Sequence, residues 1–296
     1  MDVGAAGAEP MTVPALPSLP AFAAGLCDDA AVFPPGRAPL ADAVPAHHRH
    51  RAAPYAAAVG PLVLPATALD DLAPLLDRPI DLSITAPAGP AQAAGALAAA
   101  ADLPVELHGL EVAVPAGWTP SELVRAVDGL RTGVPIHVEV PRDERRPAII
   151  AALAASGHRA KFRTGGVTAD LYPDPDELAA AVRAAVDAGV PFKATAGLHH
   201  PVRGTDPETG FDQHGFLNLL LAADAALDGR PVAGLAALLA DRDAASVAAR
   251  VADLPAERTA AARAAFLSFG TCSITDPLTE LADLGLLPAA LTEEYA

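Results

Sequence analysis

The sequence is poor in cysteine. Cys27 and Cys272 are the only two cysteines in 296 residues, which excludes a disulfide-stapled scaffold and favours a reduced, cytoplasmic location. The N-terminus lacks a basic stretch followed by a continuous apolar segment, so we expect no signal peptide. Residues 1–20 hold glycine, alanine and four prolines and are expected to form a flexible leader.

Basic residues are also few, with 20 lysines and arginines against 36 acidic residues and a net charge of −16. Because phosphate backbones and anionic lipids select basic surfaces, we expect neither nucleic acid nor membrane as a partner. No run of about 18 apolar residues free of proline, glycine and charge is present, so we expect no membrane span. No Gly-x-Gly-x-x-Gly fingerprint opens a helix, which argues against a dinucleotide, and we expect no cofactor.

What the chain does contain is a regular alternation of strand-like and helix-like segments. Predicted strands start near residues 30, 61, 80, 105, 136, 160, 192 and 267. Strands that alternate with helices pair in parallel, and eight such units in under 300 residues fit a (β/α)8 TIM-type barrel. A doubly wound open parallel sheet is the alternative. We expect one barrel domain over residues 21–296, with a helical insertion at about 202–265.

The predicted strands alternate apolar and ionisable residues. One face of a barrel strand packs on the helices and the other faces the barrel interior. The polar residues that share the second face in the fourth to seventh strands are Glu106, His108, His137, Glu139, Lys161, Arg163, Lys193 and Thr195. Barrel interiors are usually filled by branched apolar side chains. Repeated burial of charge is costly, so this pattern favours a functional site, with a structural ion-pair network as the alternative.

The two lysines suggest the chemistry. A lysine amine is a nucleophile only when neutral, and burial and nearby cations favour the neutral form. Lys161, Arg163 and Lys193 would form a cationic cluster of the kind that activates a Schiff-base lysine, in which Lys193 and Arg163 either tune the pKa of Lys161 or bind an anionic group. The residues predicted to transfer protons are Glu139, His137, Glu106 and His199.

The segment Lys161-Phe162-Arg163-Thr164-Gly165-Gly166, followed 32 residues later by Lys193-Ala194-Thr195-Ala196-Gly197, resembles the paired-lysine signature of deoxyribose-phosphate aldolase-type class I aldolases. The resemblance covers about residues 159–203. It implies a (β/α)8 barrel, a Schiff-base lysine at Lys161 on the sixth strand and a second lysine at Lys193 on the seventh. Phe162-Arg163-Thr164 replaces the family's Thr-Ser-Thr, and Leu198 replaces its second glycine. These departures leave room for a separate barrel family with another substrate.

The sequence alone leaves three functions possible. The first is an aldolase-like lyase acting on a small, possibly anionic carbonyl substrate. The second is a metal-dependent hydrolase or isomerase with His199, His200 and Glu139 as ligands. The third is a non-catalytic barrel that binds an anionic metabolite. The predicted substrate-binding residues, some of which offer backbone N–H groups to an anion, are Arg163, Gly165, Gly166, Thr195, His108, His200, Gly270 and Ser273. The oligomeric state is left open, a homo-oligomer included.

Overall fold

The computed structural model describes residues 18–292, and the first 17 residues of the predicted leader lie outside this range. Eight parallel strands close into a barrel, with helices between them. The predicted (β/α)8 TIM-type barrel is therefore confirmed, and closure excludes the open sheet.

The strands follow one another around the barrel in the order β1, β10, β7, β6, β5, β4, β3, β2. A short antiparallel hairpin, β8 with β9, lies outside it. The strands are β1 (Cys27–Asp29), β2 (Val59–Pro65), β3 (Ile80–Ala86), β4 (Val105–Ala113), β5 (Ile136–Glu139), β6 (Arg159–Arg163), β7 (Phe192–Thr195), β8 (Gly204–Thr205), β9 (Asp212–Gln213) and β10 (Phe266–Thr271).

The helices form the outer layer. They are α1 (Leu40–His50), α2 (Leu69–Leu72), α3 (Pro90–Ala100), α4 (Pro120–Asp128), α5 (Arg146–Ser156), α6 (Pro175–Asp187), α7 (Phe216–Leu227), α8 (Val232–Ala240), α9 (Ala244–Ala252), α10 (Ala256–Ala265) and α11 (Thr275–Asp283). None of the helices between residues 18 and 292 combines the length and the apolarity that crossing a bilayer requires.

Local sequence explains where several helices begin and end. Thr119 caps α4: its hydroxyl accepts the Glu122 N–H, and the Glu122 carboxylate accepts the Thr119 N–H. This reciprocal pair satisfies two backbone donors that a helix start leaves free. Asp174 caps α6 in the same position. Helix α5 ends at Gly157, whose φ of 74° suits a residue without a side chain.

The apolar core lies between the barrel and its helices. The outward side chains of the strands are buried there, among them Leu82, Leu110 and Val138. Phe192 packs against both Phe162 and Phe266, with ring centroids 5.2 and 5.6 Å apart. Because the outward face carries this core, the barrel interior does not have to be apolar.

The segment between β7 and β10 contains the helices α7 to α10 and also the hairpin β8–β9, which the sequence did not predict. Helix α7 is buried on all sides from Phe216 to Ala226. The Asn218 amide donates to the carbonyl oxygens of Leu238 and Asp241, at 2.8 and 2.9 Å, and so fixes the end of α8.

Candidate functional site

The barrel interior is lined by ion pairs. Parallel register places inward residues of neighbouring strands side by side: Glu139 beside Lys161, and Lys161 beside Lys193. Three carboxylates and three cations meet there, and we call them the lysine cluster. It consists of Asp28, Glu111, Glu139, Lys161, Arg163 and Lys193.

Lys161 lies between two carboxylates. Its Nζ is 2.8 Å from Oε2 of Glu111 and 3.1 Å from Oε2 of Glu139. Only 4% of Lys161 is exposed. The amine that the sequence predicts to be reactive therefore has a carboxylate within proton-transfer distance on either side.

Lys193 is held more deeply. Its Nζ donates to Oδ2 of Asp28 at 2.6 Å and to Oε1 of Glu111 at 2.5 Å. The hydroxyl of Ser268 donates to the same Asp28 oxygen at 2.7 Å. Glu111 therefore bridges the two lysines, with one oxygen on each.

Neighbouring charges determine the protonation states of Lys193 and Glu111. Burial by itself would lower the pKa of Lys193, but the carboxylates of Asp28 and Glu111 outweigh it and raise that pKa. Burial favours the neutral form of Glu111, yet the two ammonium groups and their hydrogen bonds hold its pKa below the usual range. Lys193 is thus an ammonium and Glu111 a carboxylate near neutral pH.

The cluster reaches solvent at the carboxyl-terminal end of the strands, which we call the mouth. Glu139 and Arg163 have 22% and 34% of their side chains exposed, and Nε of Arg163 donates to Oε1 of Glu139 at 2.9 Å. Despite burial, the charges of Lys161 and Arg163 lower the pKa of Glu139. Active sites of such barrels lie at this end, so the lysine cluster has the position of an active site.

Two small residues, Thr195 and Gly270, lie beside the charged groups near the mouth. Thr195 is the Cα partner of Arg163, and Gly270 is the partner of Asp28. A methyl group built on Gly270 would lie 3.9 Å from Oγ1 of Thr195, an ordinary contact. Both predicted binding residues therefore lie beside the lysine cluster, on the wall formed by β7 and β10.

Steric crowding explains why glycine follows β6 at positions 165 and 166. A Cβ on Gly165 would lie 2.8 Å from Cα of Gly197, and one on Gly166 would lie 2.3 Å from the Leu171 side chain. Gly197 itself has a φ of 69°. Close packing of the turns after β6 and β7 thus accounts for these glycines, with or without a bound anion.

His137 lies inside the barrel, at the level of Glu111, its Cα partner. The ring is buried, and its Nδ1 has no hydrogen-bond partner among residues 18–292. Burial first, and then the charge of Lys193, lower the pKa of His137 to about 3. The imidazole is therefore neutral at physiological pH.

Three predicted residues lie beyond the strands and bind other groups. Nδ1 of His199 is 3.6 Å from Sγ of Cys272, and Nδ1 of His200 is 2.7 Å from Oε1 of Glu280 on α11. That hydrogen bond raises the pKa of His200. The hydroxyl of Ser273 accepts the N–H of Asp276 in the first turn of α11. The structure does not bring His199, His200 and Glu139 together as metal ligands, since Glu139 is bound to Lys161 and Arg163.

Glu106 and His108 lie away from the cluster. Both are exposed at the amino-terminal end of the barrel, where Nε2 of His108 is 3.2 Å from Oδ1 of Asp81. A β-bulge explains the difference: Leu82 pairs with Leu107, but Ser83 pairs with Gly109. The extra residue shifts the alternation by one, so Glu111 is the inward acid of β4. The prediction that continued the alternation from Val105 therefore did not identify Glu111.

The structure also places Asp28 of β1 in the cluster, a residue that the alternation of the fourth to seventh strands does not indicate. A compositional signal also points there, because Lys161 and Lys193 are the only lysines in the sequence. Every other strong cation is an arginine. Because lysine occurs only at these two adjacent buried positions, the composition by itself indicates Lys161 and Lys193 as candidate functional residues.

No protein-family model matches this chain, and no curated protein matches it. The resemblance to class I aldolases over residues 159–203 therefore remains a prediction, and the functional argument depends on the geometry of the lysine cluster.

Proposed function

We propose that this protein is a Schiff-base lyase of the aldolase type, which acts on a small carbonyl compound through Lys161. The observation that carries the proposal is the bridge through Glu111, which holds two buried lysines side by side at the mouth of a parallel barrel. Burial of two ammonium groups is expensive for a purely structural purpose, whereas imine chemistry uses such a pair.

Lys161 rather than Lys193 is the nucleophile. Lys193 is held by Asp28 and Glu111, and its raised pKa keeps it charged. Lys161 contacts Glu139, whose carboxylate reaches solvent at the mouth. A proton leaving Lys161 therefore has an acceptor that can exchange it with water.

The reaction begins with formation of the imine. Lys161 passes a proton to Glu139, and its neutral nitrogen attacks the carbonyl carbon. The carbonyl oxygen takes up the proton held by Glu139 and one proton from the attacking nitrogen and leaves as water, which gives an iminium ion and returns Glu139 to its carboxylate form. The ammonium of Lys193 stabilises the negative charge that develops on this oxygen before it leaves.

Bond cleavage follows from the iminium ion. The substrate carries a hydroxyl group on its β carbon, the second carbon from the iminium carbon, and this hydroxyl loses its proton to Glu139. The bond between the α and β carbons breaks, the β carbon leaves as the carbonyl group of the first product, and the electron pair moves into the iminium to form an enamine. Protonation of the enamine and hydrolysis release the second product and return Lys161 to its amine form.

Borohydride trapping tests the proposal with unusual clarity, because Lys161, Lys193 and the N-terminal amine are the only primary amines. The protein is incubated with a panel of small aldehydes and ketones, reduced, and analysed by intact mass and peptide mapping. We expect one adduct, on Lys161. Lys161→Arg keeps the cation and should abolish the adduct, whereas Lys193→Arg should retain Lys161 as the labelled residue.

A non-catalytic binding barrel is the second candidate, because each cation of the cluster already has a carboxylate partner. Such pairing also suits a rigid binding site. An adduct that maps to Lys193 or only to the N-terminus, or no adduct with any carbonyl compound, would reject the lyase and leave this candidate.

A further inference from the structure

A second charged feature lies at the opposite end of the barrel from the mouth. A cleft of about 440 Å³ is formed there by the end of α4 with the loop that leads into β5, and by the loop between α5 and β6. Its lining includes Arg131, Thr132, Gly133 and Arg159. None of these residues belongs to the lysine cluster.

The cleft has an excess of positive charge in a strongly acidic protein. Arg131 and Arg159 both line it, and neither makes a side-chain hydrogen bond or ion pair within residues 18–292. The single acidic residue in its lining, Asp128, accepts a hydrogen bond from Nε2 of His158 at 2.8 Å. The cleft therefore contains two guanidinium groups without a counter-ion among the residues described, in a chain whose net charge is −16.

Arg159 is partly buried and has no counter-ion among residues 18–292. It is the first residue of β6, and burial lowers its pKa. Withdrawing a cation from water without a compensating anion is unfavourable. A bound anion would remove this penalty.

The backbone beside Arg131 is suited to the same ligand. Arg131 has a φ of 46°, and in the turn that follows, the N–H groups of Thr132 and Gly133 make no hydrogen bond within the described part of the chain. Free amide donors next to a guanidinium form the type of concave surface that binds oxyanions.

We propose that this cleft binds a phosphate group, either as the free ion or as part of a phosphorylated metabolite, between Arg131 and Arg159. Guanidinium groups match phosphate oxygens in a two-point geometry. Occupation of this site is separate from chemistry at Lys161, because the cleft and the mouth lie at opposite ends of β6.

Isothermal titration calorimetry with inorganic phosphate tests the site, with ionic strength held constant by chloride. We expect saturation at one equivalent of phosphate. Arg131→Gln and Arg159→Gln should each weaken binding at least tenfold, and Asp128→Asn should strengthen it by removing the competing carboxylate. Arg125→Gln is the matched control, since Arg125 is exposed on α4 and does not line the cleft; it should bind like the wild type.

Two outcomes would overturn the proposal. One is the absence of saturable binding at millimolar phosphate. The other is binding that Arg163→Gln abolishes and the cleft variants leave intact, which would move the phosphate to the mouth. Should Arg159→Gln fail to fold, as judged by circular dichroism, Arg131→Gln in the exposed loop still decides the question. Titration with a phosphate monoester then distinguishes a metabolite from the free ion.

Discussion

Lys161 and Lys193 are Cα partners on adjacent strands, and they donate to opposite oxygens of one carboxylate, that of Glu111. Two ammonium groups this close would repel each other strongly in a medium of low dielectric constant. Glu111 removes the repulsion, while Asp28 and Glu139 neutralise the remaining charge on either side. The two buried lysines are therefore stable only as part of the complete lysine cluster.

Glu111→Gln should lower the free energy of unfolding by about 3–5 kcal/mol, because it leaves two buried ammonium groups without their shared counter-ion. Urea denaturation followed by circular dichroism measures the change. Glu106→Gln is a matched control: its side chain is 76% exposed, and no measurable change is expected. Equal stability of the two variants would contradict the bridging role of Glu111.

Lys193→Met should destabilise the protein by about 3 kcal/mol or more near neutral pH, since Asp28 and Glu111 lose their cation. The folded pKa of Lys193 is raised, so its contribution is complete below the unfolded value of about 10.4 and is lost as the pH rises through the folded value. The stability difference between wild type and variant should therefore be constant from pH 7 to 10 and shrink at higher pH. A difference that grows with alkaline pH would show that Lys193 is not charged in the folded protein.

His137→Gln should change the acid stability. Since the pKa of His137 is about 3 in the folded protein and about 6.5 in an unfolded chain, the unfolded state binds the extra proton between these values. Stability of the wild type should therefore fall as the pH drops below 6.5, by up to about 1.4 kcal/mol per pH unit from this residue. His137→Gln should reduce that slope, whereas His108→Gln, at an exposed site, should not. Denaturant midpoints measured at intervals between pH 4 and 7 provide the slopes.

Gly165→Ala should destabilise the protein by about 1–3 kcal/mol through overpacking, because the added methyl group would lie 2.7 Å from the Tyr172 ring and 2.8 Å from Cα of Gly197. Gly95→Ala is the opposite control: Gly95 lies on α3 with no atom within 4 Å of the added group. A helical alanine there should stabilise the protein by up to about 1 kcal/mol. Thermal unfolding of both variants tests whether crowding, rather than loss of glycine as such, is responsible.

The sequence by itself determined the barrel and four members of its cluster. Alternation of strands with helices implies parallel pairing, and alternation within strands assigns Glu139, Lys161, Arg163 and Lys193 to one face. Both patterns repeat at short range along the chain, so they can be recognised in the sequence without knowledge of the tertiary contacts.

Tertiary structure alone decided how the cluster is completed. The bulge in β4 depends on pairing with β3 and moves the inward acid from Glu106 to Glu111. Closure of the barrel brings Asp28 of the first strand to Lys193 of the seventh, across 165 positions of sequence. Likewise, His200 pairs with Glu280 on α11 instead of with Glu139. Register shifts and long-range closure leave no periodic trace in the chain, which is why the sequence predicted the lysines but not the carboxylate that joins them.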